Sequence, residues 1–236
     1  MRPIQLMSIP LLLLALAGCA STKGSRNEAS FWQVDDALRS TLSQAAGSIP
    51  SDLFDSLTAE DLLGAKGGDI ARHPEIPLLS DQVAAWRDDV LLAFARQIAE
   101  EEERIRTYAK DLALTDEETL LQSQDAAMTT LFWGQDGRNW KEAVTKSLTE
   151  KFASCTEDGA RMLSTYTIWQ QGKAAVTGNS VPDVRLPSDE ELADLFLGRY
   201  YSALKAAEID VRTTPQPLGS GSLYEFYLQY QQKKND

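Results

Sequence analysis

Apolar residues along this chain recur in steps of three and four, the spacing that puts them on one face of an α-helix. Val34, Leu38, Leu42 and Ala45 form a first stripe, opened by Ser30 with Gln33 as a capping box and closed by Gly47. Thr58 with Asp61 marks a second, short helix ending near Gly64. The longest stripe starts after Ser80 and runs through Val83, Trp86, Val90, Phe94, Ile98, Ile105, Tyr108 and Leu112, with Glu101 filling its one gap. Thr115 with Glu118 opens a further helix through Leu120, Leu121, Met128 and Phe132, which Trp133-Gly134 stops. After a loop at 135–138, Asn139 with Glu142 caps a helix bearing Trp140, Val144, Leu148, Phe152 and Cys155. Met162, Tyr166 and Trp169 continue the pattern up to Gly172. Residues 172–187 then read as an irregular crossover. Ser188 with Glu191 caps a stripe of Leu192, Leu195, Phe196, Tyr200 and Leu204, and Ser222 with Glu225 opens an aromatic-rich last helix.

No stretch alternates with the period of two that a strand requires. The pattern predicts an all-α fold, an irregular bundle of about six to eight helices without β-sheet, with residues 30–236 as a single domain. Trp86, Phe94, Leu148 and Phe152 should share its core. Glu100, Glu101, Glu102 and Glu103 are expected to form a solvated face, paired as Glu100–Arg104 and Glu102–Arg106 in the favourable i,i+4 order.

The amino terminus follows another logic. Arg2 supplies a positive start and residues 9–17 an apolar run. That run is shorter than the roughly 20 residues a spanning helix needs, and it reads as a secretory signal. Its ending, Leu16-Ala17-Gly18-Cys19, resembles the lipobox of bacterial lipoproteins. The resemblance implies that residues 1–18 are a signal peptide cleaved before Cys19. It also implies a diacylglyceryl thioether on the Cys19 sulfur, a further acyl chain such as palmitate on the new amine, and a tether over residues 19–29. Ala20 and Ser21, with no aspartate, resemble signals for the outer membrane rather than inner-membrane retention. The expected location is the bacterial envelope, on the outer membrane and facing the periplasm.

Charge narrows the partners. The chain carries 23 basic against 35 acidic residues, a formal charge of −12, and loss of the signal removes Arg2 as well. Nucleic-acid binding needs a basic surface, so no nucleic-acid partner is expected. Anionic headgroups also repel such a domain, leaving the membrane to be met through the Cys19 anchor. A protein partner should present a basic face. Once Cys19 is acylated, Cys155 has no disulfide partner, and its spacing from Leu148 and Phe152 predicts burial.

Several stretches together resemble a known family. They are Leu114-Thr115-Asp116-Glu117-Glu118, Asp125-Ala126-Ala127 leading to Phe132, Leu148-Thr149-Glu150-Lys151-Phe152, and Glu208-Ile209-Asp210-Val211-Arg212 with Pro215. Ile76-Pro77-Leu78 and Ala99-Glu100 match two earlier points. The pattern resembles the domain-of-unknown-function family 4197, small helical envelope proteins that are often lipoproteins, of which this chain would be a divergent member. Gln122-Ser123-Gln124 replaces the family's glycine-rich turn, a segment from Trp133 to Trp140 is extra, and the region between Ile76 and Ala99 is shorter. The resemblance implies a fold and a location, and no activity.

Chemistry is sparse. His73 is the only histidine, which removes most zinc, di-iron and Ser-His-Asp arrangements. Gly219-Ser220-Gly221-Ser222 lacks the lysine of a phosphate loop. The expectation is a non-enzyme with no catalytic residues, no metal and no cofactor. Aromatics are the surplus. Trp133 and Trp140 flank the expected loop, and consecutive aromatics of the last helix cannot all lie on one face. Trp133, Trp140, Tyr227 and Tyr230 are therefore the candidate partner-binding residues. Three readings follow: an envelope lipoprotein that binds a protein or organises the envelope, a lipoprotein inhibitor or immunity factor for a basic toxic enzyme, and a carrier of an apolar ligand between helices.

Overall fold

The computed structural model describes residues 33–64, 78–178, 185–214 and 223–235, together with positions 68, 70, 73, 75 and 76. The lipobox, Cys19 and the expected Ser30 cap lie outside the described residues. Phe31–Asp236 forms one compact unit. Its described residues hold seven helices and no strand, as the periodicity predicts. In chain order they are α1 (Val34–Gly47), α2 (Ala59–Leu63), α3 (Leu79–Asp111), α4 (Glu117–Gln122), α5 (Ala127–Thr177), α6 (Asp189–Thr213) and α7 (Leu223–Asn235).

Two of the helix starts follow local sequence directly. The Thr58 hydroxyl accepts from the Asp61 amide while the Asp61 carboxylate accepts from the Thr58 amide at 2.7 Å. Ser188 and Glu191 make the same reciprocal pair at the head of α6. The α4 start departs from the expected Thr115–Glu118 box. Asp116 is the N-cap, in the left-handed region at φ 55°, and it accepts from the Thr119 amide. Aspartate tolerates that conformation better than most residues because its short side chain bonds locally.

The larger correction is α5. It runs unbroken for 51 residues, about 76 Å at 1.5 Å per residue, through the expected stop at Trp133-Gly134, the expected loop at 135–138 and the expected end at Gly172. Turn-forming residues sit in this helix because packing outweighs their propensity. A Cβ on Gly137 would lie 3.0 Å from the Trp133 ring, so glycine lets that indole lie back along the helix. Gln135 exchanges two bonds with the Ala113 backbone, donating at 2.7 Å and accepting at 3.2 Å. Asp136–Asn139 and Arg138–Glu142 become i,i+3 and i,i+4 helix-face pairs. The helix ends one residue before Gly178, whose φ of 73° is the left-handed cap that glycine supplies without strain.

α3, α5 and α6 enclose the main core with α1 laid against them. Trp86, Phe94, Leu148 and Phe152 all belong to it, as expected. Phe94 meets Phe54 at 4.7 Å, Phe196 at 5.6 Å and Phe152 edge-on at 5.8 Å. A second, smaller apolar cluster joins Ile70, Ile76, Leu79 and Val83 to Met162 and Tyr166 of distal α5. His73 meets the edge of Trp169 beside it, at 4.1 Å between centroids.

Candidate functional site

The four candidate aromatics divide evenly between interior and surface. Trp133 stays 38 % exposed and tilts against Tyr201 of α6 at 4.8 Å. Tyr230 is half-buried and stacks on Phe226 at 6.4 Å. Trp140 and Tyr227 are corrections to the expected partner-binding set. Trp140 is 0 % exposed, set among Phe132, Trp133 and Tyr200, and its indole N–H donates to the Glu101 carboxylate. Tyr227 is 2 % exposed, shares a 2.8 Å hydrogen bond with Thr41, and lies under the Arg212 guanidinium at 4.9 Å. Each ring has turned inward because its polar atom finds a partner there, the usual condition for burying Trp or Tyr.

Glu101 is not part of a solvated face. It is fully buried and accepts from Gln97 at 2.6 Å, from Arg104 at 2.6 Å and from Trp140. Burial pushes its carboxyl above the usual carboxylate range, while Trp140, Arg104 and Gln97 hold it back. Arg104 therefore pairs with Glu101 rather than Glu100, and Glu100 instead reaches Lys151 and Ser147 of α5, both at 2.8 Å. Of the two expected pairs, Glu102–Arg106 forms, at 2.5 Å.

A second buried carboxylate, Glu208 of α6, closes the head of α5. Its oxygens accept from the Met128 amide at 2.9 Å and the Thr129 amide at 2.7 Å. The N-cap position, Ala126, has no side-chain oxygen to do this. Arg212 donates to Glu208 at 2.6 Å and to the Leu120 and Ser123 carbonyls at 2.9 and 3.3 Å, covering the end of α4. Arg39 does the same at the end of α3, donating to the Ala109 and Lys110 carbonyls at 2.8 and 2.6 Å. These charged groups hold helix ends in place. Both carboxylates face the fold's own donors, not a cleft.

The remaining candidates are placed simply. Cys155 is buried at 3 % exposure and burial raises its thiol pKa. Among the described residues no three His, Cys, Asp or Glu side chains are grouped so as to hold a metal ion. The cavity between Trp86, Phe152 and Leu186 measures about 30 Å³, room for a water or two.

Open concavities lie elsewhere, along one flank of α3. A groove of about 410 Å³ sits between that flank and the turn holding Asp55, floored by Leu91, Leu92 and Ala95. A second, of about 360 Å³, lies between Glu102 and Arg106 of α3 and the end of α1 at Gly47 and Ser48. Sequence reasoning missed this surface, and the signal for it was present. Leu92 lies off the core stripe of α3 and is 49 % exposed. Comparison of the chain with protein-family models, with curated proteins and with solved structures returned no match.

Proposed function

We propose that this chain is a lipid-anchored lipoprotein of the bacterial envelope whose helical unit binds a protein partner and catalyses nothing. The observation that carries the reading is Leu16-Ala17-Gly18-Cys19 after a short apolar run. No helix among the described residues is long and apolar enough to cross a membrane, so in this reading attachment rests on Cys19. The buried carboxylates, spent on backbone amides, an indole and guanidinium groups, favour a binding role over acid–base work. The resemblance to family 4197, of which the chain would be a divergent member, accords with the same reading. Its Glu208-Ile209-Asp210-Val211-Arg212 stretch supplies both halves of the pair that joins α4, α5 and α6.

The deciding experiment is mass spectrometry of the protein recovered from envelopes. Cys19 should be the first residue and should carry acyl chains. At about 0.8 kcal/mol per buried methylene, two or three chains anchor it stably where a single chain would not. Cys19→Ala should leave the detergent phase or remain unprocessed. An unmodified Cys19 in the mature protein would overturn the proposal.

A further inference from the structure

We infer that α7 is an exchangeable element, and that two copies of this chain associate by trading it. The inference goes beyond the reading above and stands whether or not Cys19 is acylated. α7 lies along α1 and α6. Its buried side chains, Leu223, Phe226 and Tyr227, all fall within its first five residues. Beyond them Leu228 is 39 % exposed, Gln229 is exposed and Tyr230 is half-buried. One end of the helix therefore carries most of its attachment to the body.

The seat between α1 and α6 is made for this helix. The Thr41 hydroxyl of α1 donates to the Ala37 carbonyl at 2.7 Å, which leaves its oxygen to accept from the Tyr227 hydroxyl at 2.8 Å. Arg212 of α6 lies over the same ring at 4.9 Å and is held there by Glu208 at 2.6 Å. Leu223, Phe226 and Tyr227 belong to the main core, so an empty seat exposes core surface to water. The α7 of a second copy brings the same three side chains and the same hydroxyl, and it replaces every one of these contacts. Residues 214–222 join α6 to α7 and, when extended, reach about 30–32 Å. That is more than twice the roughly 10–12 Å width of a helix. Pro215 and Pro217 also bar α6 from running on into α7 as one rod. A closed monomer and a swapped dimer thus share one set of contacts. They differ in the course of residues 214–222 and in the entropy of association, so concentration decides between them.

The test uses residues 31–236, the compact unit with its own core, in two singly labelled batches. A donor dye is placed at Gln229→Cys on α7 and an acceptor at Ser48→Cys beside the end of α1, both exposed positions, while Cys155 is buried. After mixing, energy transfer between copies should grow with protein concentration, together with a dimer seen by light scattering. Excess unlabelled protein should abolish the transfer. Tyr227→Phe and Thr41→Val each delete the hydrogen bond from one side. Closed monomer and swapped dimer both contain that bond, so these variants should keep the dimer fraction within twofold of the parent's. They should speed exchange about 2- to 13-fold, the worth of one hydrogen bond, with the circular dichroism spectrum unchanged. Leu228→Gln, on the outer side of α7, should change neither. A protein that stays monomeric up to its solubility limit would overturn the inference. So would a dimer that exchanges no faster in the two hydrogen-bond variants, one whose fraction falls in them, or one that Leu228→Gln weakens, because each marks an association that does not trade α7.

Discussion

Removing the Glu208 carboxylate should be among the most damaging single changes in this protein. The side chain is 0 % exposed, accepts from the Met128 and Thr129 amides, and faces Arg212, itself 6 % exposed. Glu208→Ala leaves a guanidinium buried without its counter-charge, a defect that costs about 3–5 kcal/mol. Two helix-end amides lose their acceptor in the same step, the loss that a missing N-cap represents, about 1 kcal/mol. For a unit of this size each kcal/mol lowers Tm by about 2–4 °C, so a loss of about 4–6 kcal/mol should lower the melting temperature by roughly 8–24 °C. Thermal and urea unfolding followed by circular dichroism at 222 nm measure it. The companion variant Glu208→Leu with Arg212→Met removes both charges. It should recover most of the ion-pair part and keep the cap deficit, because coupled neighbours are not additive. A Glu208→Ala protein within 1 kcal/mol of the parent would refute the reasoning. So would a double variant as costly as the two single changes added together.

Two further outcomes follow from the same physics. Glu101 has its carboxyl pKa raised by burial, so the folded state holds that proton more tightly than the unfolded chain. Its contribution to stability is present below the ordinary glutamate value and is lost as pH rises through the elevated one. Glu101→Gln should therefore compare best with the parent near pH 7.5 and lose ground towards pH 4.5, as paired urea titrations would measure, and a difference independent of pH would contradict this. Among the glycines of α5, Gly134 has nothing within 4 Å of an added Cβ, whereas at Gly159 that atom would meet Leu186 at 2.7 Å and Trp86 at 2.9 Å. Gly134→Ala should stabilise by about 0.5–1 kcal/mol from helix propensity, and Gly159→Ala should destabilise by about 1–2 kcal/mol, both read from urea midpoints.

What the sequence makes legible is local. Thr58 with Asp61 and Ser188 with Glu191 act across three residues, so their spacing was enough to locate two helix starts. The stripes of α3 and α6 were readable for the same reason, since each repeats every turn. Gly134, Asp136, Gly137 and Asn139 misled because their local preference for a turn is weak against contacts with Ala113 and Tyr201, 22 and 68 residues from their partners on α5. Glu101 had one clue, its place in the apolar stripe between Ile98 and Ile105. The indole that accounts for its burial lies 39 residues away. Glu208 reaches amides some 80 residues distant, and nothing in its neighbourhood announces them. Trp133 remains exposed, while Trp140 and Tyr227 turn inward towards partners that spacing alone does not reveal.

The unbroken course of α5 bears on how the protein opens and closes. One helix supplies Phe132, Val144 and Phe152 to the main core and Met162 and Tyr166 to the smaller cluster. No flexible joint separates the two, so the smaller cluster cannot swing as a separate body. It can loosen only by local melting of the helix that carries it. Melting starts at the end near Thr177, where Val176 is 87 % exposed, and works back towards Met162. Amide hydrogen exchange along α5 should then rise as a gradient from the middle of the helix to its carboxyl end. Within α5, the carboxyl end is the tip that frays.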